Sequence, residues 1–419
     1  MLTKIIKNTF LKKTFKSLAQ PIINSAVSTN IGEITPLCAR RSNYDYERIN
    51  ILLPSINHEH FFGGIATAVS FFNNLSELKK IKKRIITTDA APDKKSMGIF
   101  NNYEFAKAEA DSKFDNEILA FNDRYNKTIP VAKNDFFIAT SWWTAFHVQK
   151  IINWQQKEYN QPVKKLVYLI QDFEPGFYSW SSRYALADST YRFRYPQIAV
   201  FNSSMLYTFF KDNNYAFDRE FIFEPVLNDK LKKGLDDRKN VTKKKQILIY
   251  GRPGVERNAF SLIIEALKLW VWKQPEVHQW SLLSVGEKHQ NIELGNSMVL
   301  KSVGKLSLDR YVTVLNESAI GISLMVSPHP SYPPMEMALF GLGVISNSFA
   351  NKELSSWHEN ITSIRLSDEM LASTLLEQCN CFIRNNDFFL KGRLFKSEYL
   401  KMDKQFDFMK DLIEELFNK

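Results

Sequence analysis

Short apolar strands alternate with helical stretches twice along this 419-residue chain, and that repetition limits what the chain can fold into. In the first series Ile49–Pro54, Arg84–Thr88, Asp135–Thr140, Lys165–Gln171 and Gln197–Ser203 are strand-like. Ile65–Leu75, Trp142–Trp154 and Ser204–Lys211 are helix-like. The strand runs are continuously apolar rather than alternating, the pattern of parallel strands covered on both faces. A second series begins at Gln246–Tyr250. It continues through helix Asn258–Lys273, strand Trp280–Val285, helix Leu308–Asn316 and strand Ala319–Met325. Strand–helix alternation of this kind builds a doubly wound α/β sheet. Two such series in a chain too long for one ordinary core predict two domains with a cleft between them.

The segment between the series, 228–245, is polar, lysine-rich and weakly periodic, and reads as a linker. The chain therefore divides into a basic N-terminal arm (1–30), a first domain (31–227), the linker (228–245), a second domain (246–385) and a helical tail (386–419). In the tail, apolar residues at 402, 406, 409, 413 and 416 mark one helix face, expected to pack on the body of the protein.

Composition excludes several classes. Hydrophobic residues make up 44% and charged residues 24%, as in an ordinary globular protein. No apolar run approaches the ~18 residues that span a bilayer. Cys38, Cys379 and Cys381 form neither a disulfide framework nor a zinc pattern, and point to a reduced, cytoplasmic setting. The net charge of +10 raises the question of nucleic acid, but no zinc finger or aromatic basic sheet motif is present, and nucleic-acid binding is not expected. The charge is concentrated at the start. Lys4, Lys7, Lys12, Lys13 and Lys16 alternate with Leu2, Ile5, Ile6, Phe10 and Leu11, with no acid in residues 1–20. Such an arm suits a peripheral helix on an anionic membrane surface; a solvated tail is the alternative.

The chemistry gathers in the second half. Ser327-Pro-His-Pro-Ser-Tyr-Pro-Pro-Met-Glu336 joins a Pro-rich loop to a helix carrying one carboxylate, followed by a turn and a strand up to Ser346. Backbone N–H groups at a helix start can cradle phosphate, with Ser331 and Tyr332 beside it, and Glu336 can accept the hydroxyls of a ribose. Arg252 follows a strand and a glycine, and Arg257 lies five residues on. Two guanidiniums there can neutralise a diphosphate; surface arginines capping a loop are the alternative. Gly286 ends the next strand, and Lys305 sits in a Gly-Lys-Leu turn before a helix. In the first half, Gly63-Gly64 lies between a strand and a helix, where backbone can approach an anion or a sugar closely. Asp172 and Glu174 follow the end of a strand, where either can orient or deprotonate a hydroxyl, or simply cap a helix. Trp142, Trp143 and Tyr178 can stack on sugar rings or pack in the core, and no metal-ligand spacing is visible.

The order Gly-Arg…Arg, Val-Gly-Glu, Gly-Lys-Leu, Pro-Ser-Tyr-Pro-Pro-Met-Glu resembles the C-terminal half of family 4 glycosyltransferases, which have the GT-B fold of two Rossmann-like domains. The resemblance implies that Arg252 and Arg257 hold the donor diphosphate, with arginine replacing the family's lysine at 257. It implies that Glu336 holds the donor ribose, that the Lys305 turn meets the nucleobase or diphosphate, and that Gly63-Gly64 lies near the donor phosphates. The first glutamate of the family's E-x7-E motif would fall at Pro328 and is absent. Together with Leu-Ile-Gln171-Asp172-Phe-Glu174-Pro-Gly-Phe-Tyr178, this departure is similar to the WsaF-type rhamnosyltransferases, over roughly residues 48–360. That likeness implies retaining, metal-independent transfer of L-rhamnose from dTDP-L-rhamnose to a bacterial cell-surface glycan or lipid-linked saccharide, with no cofactor beyond the donor. A different NDP-hexose, or a non-catalytic glycan-binding module of the same fold, are the alternatives.

Overall fold

A computed structural model describes residues 30–58, 63–236, 241–396, 399 and 405–417. The basic arm and its expected membrane helix lie outside these residues. The chain divides into two compact units, one ending at Pro36 and one running from Leu37 to Lys419. Among the described residues of the first, a 3-10 turn covers Gly32–Ile34.

The second unit contains two large sheets. The first has eight strands, in spatial order Arg219–Ile222, Gln197–Phe201, Leu166–Ile170, Asp135–Ala139, Arg48–Leu53, Lys82–Thr87, Asn116–Ala120 and Glu104–Ala106. Every neighbouring pair is parallel. The chain reverses its winding between Arg48–Leu53 and Asp135–Ala139, which makes the C-terminal ends of those strands the natural ligand crevice. The second sheet has seven strands, ordered Ile292–Gly295, Met298–Gly304, Ser281–Gly286, Lys244–Gly251, Ser318–Ile322, Gly343–Asn347 and Ile361–Ile364. Only the hairpin of its first two strands is antiparallel. Its switch point lies between Lys244–Gly251 and Ser318–Ile322.

The central strands are buried along their whole length, which is why their sequences lack alternation. Their N-terminal ends carry an unexpected buried ion network. Arg48 donates two hydrogen bonds to Asp135, at 2.8 and 2.9 Å, and one to Glu117 at 3.2 Å. Arg84 reaches Asp135 at 3.4 Å and Asn50 at 2.6 Å. All four charged side chains are fully buried. The network pins strand starts at the end of the sheet opposite the crevice.

Several elements depart from the alternation. The linker is structured at both ends: Asp229–Gly234 is a helix that buries Leu231, and Lys243 buries its ammonium against the carbonyls of Leu315 and Phe340, at 2.8 Å each. Its polar composition conceals this because a lysine satisfied by carbonyls leaves no apolar trace. Strand Ser318–Ile322 stops three residues short of Met325, where Asn347 takes over as acceptor for the Met325 N–H at 2.7 Å. A parallel side pair, Cys38–Arg41 with Thr128–Val131, and the long helix Asp368–Arg384 also lie outside the series read above. That helix packs Leu371, Leu375, Cys379 and Phe382 into the second domain's core.

The tail helix is Met409–Phe417. It crosses back to the first domain, burying Met409, Leu412 and Leu416 in that core, and Lys165 pairs with Glu415. Phe406 and Phe408 extend the contact, each ring 5.0 Å from Phe223 and Phe221 respectively. Among the described residues no helix is long and apolar enough to cross a membrane.

Candidate functional site

The residues singled out by sequence stand at the C-terminal ends of strands in both sheets. In the second domain, strand Lys244–Gly251 delivers Arg252, and a 3-10 turn at Glu256–Asn258 sets Arg257. Asn258 anchors that turn by donating to the Leu324 carbonyl at 2.9 Å, while the Arg257 carbonyl accepts from Val326 N–H at 2.7 Å. Gly286 ends the neighbouring strand with φ +117°, and a Cβ there would lie 2.7 Å from the Gly251 carbonyl and 3.4 Å from Cγ of Arg252. Only glycine lets the two strand ends and the arginine stem approach this closely. One strand further out, Lys305 is exposed beyond Met298–Gly304.

Glu336 projects from the short helix Pro333–Leu339 and accepts a hydrogen bond from Tyr311 at 3.1 Å. Burial lifts its carboxyl to about 7, with the Tyr311 hydroxyl pulling the other way. Burial raises the Tyr250 hydroxyl above the usual tyrosine range, and the charges of Arg252 and Arg257 (lowering) and Glu336 (raising) act on it. Arg252, Arg257 and Glu336 thus all lie within electrostatic reach of one tyrosine. Sequence reading missed Tyr250 and Tyr311, since a tyrosine inside a strand or helix looks like core.

The phosphate cradle expected at the helix start is not formed by backbone amides. Pro333 and Pro334 occupy the first two helical positions and have no N–H. The amides of Met335 and Glu336 both bond to the Tyr332 carbonyl at 3.1 Å. His329 N–H is taken by Ser327 Oγ at 3.1 Å, and Ser331 N–H by His329 Nδ1 at 3.0 Å. Ser331 is held at φ +70°, and the amides of His329 and Ser331 are used inside the loop. Positive charge at this site comes from the arginines instead.

The same loop meets the first domain. Ser327 Oγ donates to Asp172, and Arg257 Nε stands 3.4 Å from the other Asp172 oxygen. That separation is an ion pair without an aligned hydrogen bond, since the Arg257 Nε–H has no hydrogen-bond partner among the described residues. The Arg257 guanidinium also lies over the Phe177 ring at 4.1 Å. The Tyr332 hydroxyl hydrogen-bonds Thr67, on the helix that Gly63-Gly64 begins, and burial pushes it up to about 12. Gly63 takes a left-handed φ of +48° in open space, whereas a Cβ on Gly64 would lie 2.9 Å from Oε1 of Gln171, the residue after strand Leu166–Ile170.

Glu174 is placed differently from an open base. It accepts the Trp142 N–H at the first turn of helix Trp142–Tyr159 and is buried, which raises its carboxyl to about 8. Trp142 is itself core, its indole N–H donating to Tyr178 at 2.9 Å, so the Trp142 ring is not free to stack on a sugar face. Lys352 also went unread. It is buried, its ammonium donates to the Met325 carbonyl and approaches Asn347, and burial lowers it to about 7 while Asp172 opposes the shift.

Residues 48–204 match the WsaF N-terminal domain, and residues 245–376 match the WsaF C-terminal domain. The chain belongs to the WsaF family. The two matched regions contain the first and second switch points, and every site residue above. A WsaF-family chain is expected to share its fold with sugar-nucleotide enzymes, and it does. WaaG, a glycosyltransferase involved in lipopolysaccharide biosynthesis, superposes with a TM-score of 0.53 at 13% identity, over 88% of this chain and 100% of that one. Sucrose-phosphate synthase from Thermosynechococcus elongatus gives 0.52 at 10% identity, over 89% and 95%. HepE of Anabaena, solved in complex with UDP, gives 0.51 at 11% identity, over 88% and 95%. At these identities the likeness is one of fold, the GT-B arrangement of two Rossmann-like domains. In sequence, the chain is 29% identical over 216 residues to the O-antigen biosynthesis protein RfbC of Myxococcus xanthus. That match takes in 51% of this chain and spans 15% of the relative's length. The two domain matches show the family and the superpositions show the fold.

Proposed function

We propose that the protein transfers L-rhamnose from dTDP-L-rhamnose to a bacterial cell-surface glycan intermediate, with retention of configuration. The observation that carries the reading is the meeting of Ser327 and Arg257 with Asp172 of the facing domain, with Arg252, Arg257 and Glu336 all within electrostatic reach of Tyr250. Glu336 accepts the ribose hydroxyl, and the two guanidiniums take up the charge of the departing diphosphate without a metal ion. Gly286, Ser331, Lys305 and the Gly63-Gly64 turn complete the donor site, with Tyr332 closing it from the side. The bond from the sugar's anomeric carbon to the diphosphate breaks as the bond to the acceptor oxygen forms, and a departing phosphate oxygen takes the acceptor's proton. On that route the protein needs no strong base of its own. Asp172 then orients the acceptor and Arg257, and Glu174 fixes the loop that carries Asp172 by holding the Trp142 amide.

Rhamnose is favoured by the family and by the loop itself. Pro328 and Pro330 flank His329, and a 6-deoxy sugar offers a methyl group to such a lining where a carboxylate would be left unpaired. A surface glycan fits the name of the Myxococcus relative. The lysines of residues 1–20 support peripheral attachment to an anionic membrane, which would bring the enzyme to lipid-linked acceptors.

The test is transfer of label from dTDP-L-rhamnose into the lipid-linked glycans of a bacterial membrane extract, with EDTA present. Incorporation that survives EDTA and exceeds that from UDP-glucose supports the reading. Faster incorporation from UDP-glucose, or strict dependence on a divalent ion, overturns it.

A further inference from the structure

His329 presents a hydrogen-bond donor that no described residue accepts. It lies in the loop between strand Ser318–Ile322 and helix Pro333–Leu339, with 5% of its surface exposed. Its Nδ1 accepts the Ser331 N–H at 3.0 Å. A ring nitrogen that accepts carries no proton, so in the neutral imidazole the proton is on Nε2. The ring is neutral at physiological pH: burial lowers it to about 4, Lys352 and Arg257 push in the same direction, and Asp172 opposes them. Nε2 is buried and has no hydrogen-bond partner among the described residues. An unmade bond on a buried donor costs roughly 1–3 kcal/mol, and most folded proteins avoid it. Here the cost is retained in a loop whose His329 and Ser331 amides are both satisfied, among the groups that join the two domains. Tyr332 is beside it, ring centres 5.9 Å apart.

We propose that His329 is a specificity-determining residue, whose Nε2–H donates to a hydroxyl of the sugar carried by the nucleotide donor. The inference rests on the donor-site reading above and deepens it. A neutral donor suits a neutral hydroxyl, whereas the diphosphate has Arg252 and Arg257, whose permanent charges match it better. Because Nδ1 is locked by Ser331, Nε2 is a donor only, and it therefore recognises a hydroxyl by one of its lone pairs. An epimer or deoxy sugar that moves or removes that oxygen leaves the N–H unpaired, which is how a polar site rejects near-substrates.

Calorimetric titration of the full-length protein with dTDP and with dTDP-L-rhamnose tests this, using His329→Phe and His329→Gln. Phenylalanine keeps the ring and removes the donor, while glutamine restores an N–H at similar reach. Affinity for dTDP should be the same in all three proteins. Affinity for dTDP-L-rhamnose should fall roughly ten-fold in His329→Phe and recover in His329→Gln. Equal affinity of wild type and His329→Phe for the sugar nucleotide would overturn the assignment. So would an equal loss for dTDP and the sugar nucleotide, which would place His329 on the diphosphate or in the framework. If the wild-type protein binds UDP-glucose or GDP-mannose in place of dTDP-L-rhamnose, the rhamnose reading fails alone, and the same comparison with the bound donor and its nucleotide decides the role of His329. Binding of none of these donors would remove both.

Discussion

Glu336 shows how a single residue can be costly to the fold and useful to the site. Its carboxyl is raised to about 7 because burial disfavours the charged form more than the Tyr311 hydroxyl favours it. For a raised carboxyl, the contribution to folding is fully present below the unfolded value of ~4.3 and is lost as pH rises through about 7. Donor binding has the opposite dependence, since the ionised carboxylate is the better acceptor for ribose hydroxyls. Donor affinity should therefore increase between about pH 6 and 8, and Glu336→Gln should flatten that profile. The same substitution should weaken donor binding by roughly 1.5–3 kcal/mol while the fold remains intact. Pulling in one direction, Arg252→Ala and Arg257→Ala should both lower kcat/KM. Arg257→Ala should in addition weaken the contact with Asp172 and Phe177, which Arg252→Ala leaves alone; wild-type kcat/KM in the double variant would remove this loop from the site. Arg252, Arg257 and Glu336 were legible in the sequence because charges after strand ends are conspicuous. Tyr250, Tyr311, His329 and Lys352 were not, because each is buried or half-buried, and a polar residue packed in the core looks like core until its partners are known.

At the scale of elements, strands carry the site at one end and its support at the other. Arg48, Arg84, Glu117 and Asp135 occupy strand starts, far along the sheet from Gly63 and Asp172. Burial alone would raise the Asp135 carboxyl, but Arg48 and then Arg84 outweigh it and hold the group below its usual range. Its stabilising contribution is thus present above ~pH 4 and is lost as pH falls through the lowered value. Asp135→Asn leaves two buried guanidiniums short of a counter-charge and should cost roughly 3–5 kcal/mol in urea unfolding. Activity per folded molecule should change little, since no site residue touches the network. A loss under ~1 kcal/mol would mean the pair is dispensable. The strands themselves were legible from continuous apolar runs. Their ends were less so: strand Ser318–Ile322 stops where the Asn347 side chain replaces a backbone acceptor, an exchange that depends on residues 22 positions apart. The proline pair at 333–334 was visible, yet which acceptors the neighbouring amides of His329, Ser331, Met335 and Glu336 meet depends on the folded loop.

For the whole molecule, the two sheets are joined at the site by Ser327–Asp172, Arg257–Asp172 and Tyr332–Thr67, and at the other end of the chain by the tail helix returning to the first domain. Leu412→Ala, in the centre of that helix, should cost about 2–5 kcal/mol and lower the unfolding midpoint, although residue 412 lies over 180 positions from the last strand of the domain it supports. An unchanged midpoint would show that the tail is an accessory. The two-domain plan was legible because alternation is a local property that repeats. Which domain receives the tail was not, because an amphipathic face states that it needs a partner and not which one. The account as a whole depends on the site being built for a sugar nucleotide. Its most direct test is calorimetric titration of the wild-type protein with dTDP-L-rhamnose, UDP-glucose and GDP-mannose in EDTA. Saturable one-to-one binding of dTDP-L-rhamnose, with the other two at least ten-fold weaker by the order of a single lost polar contact, is the predicted result. Tighter binding of UDP-glucose, or no binding of any of the three, would contradict it.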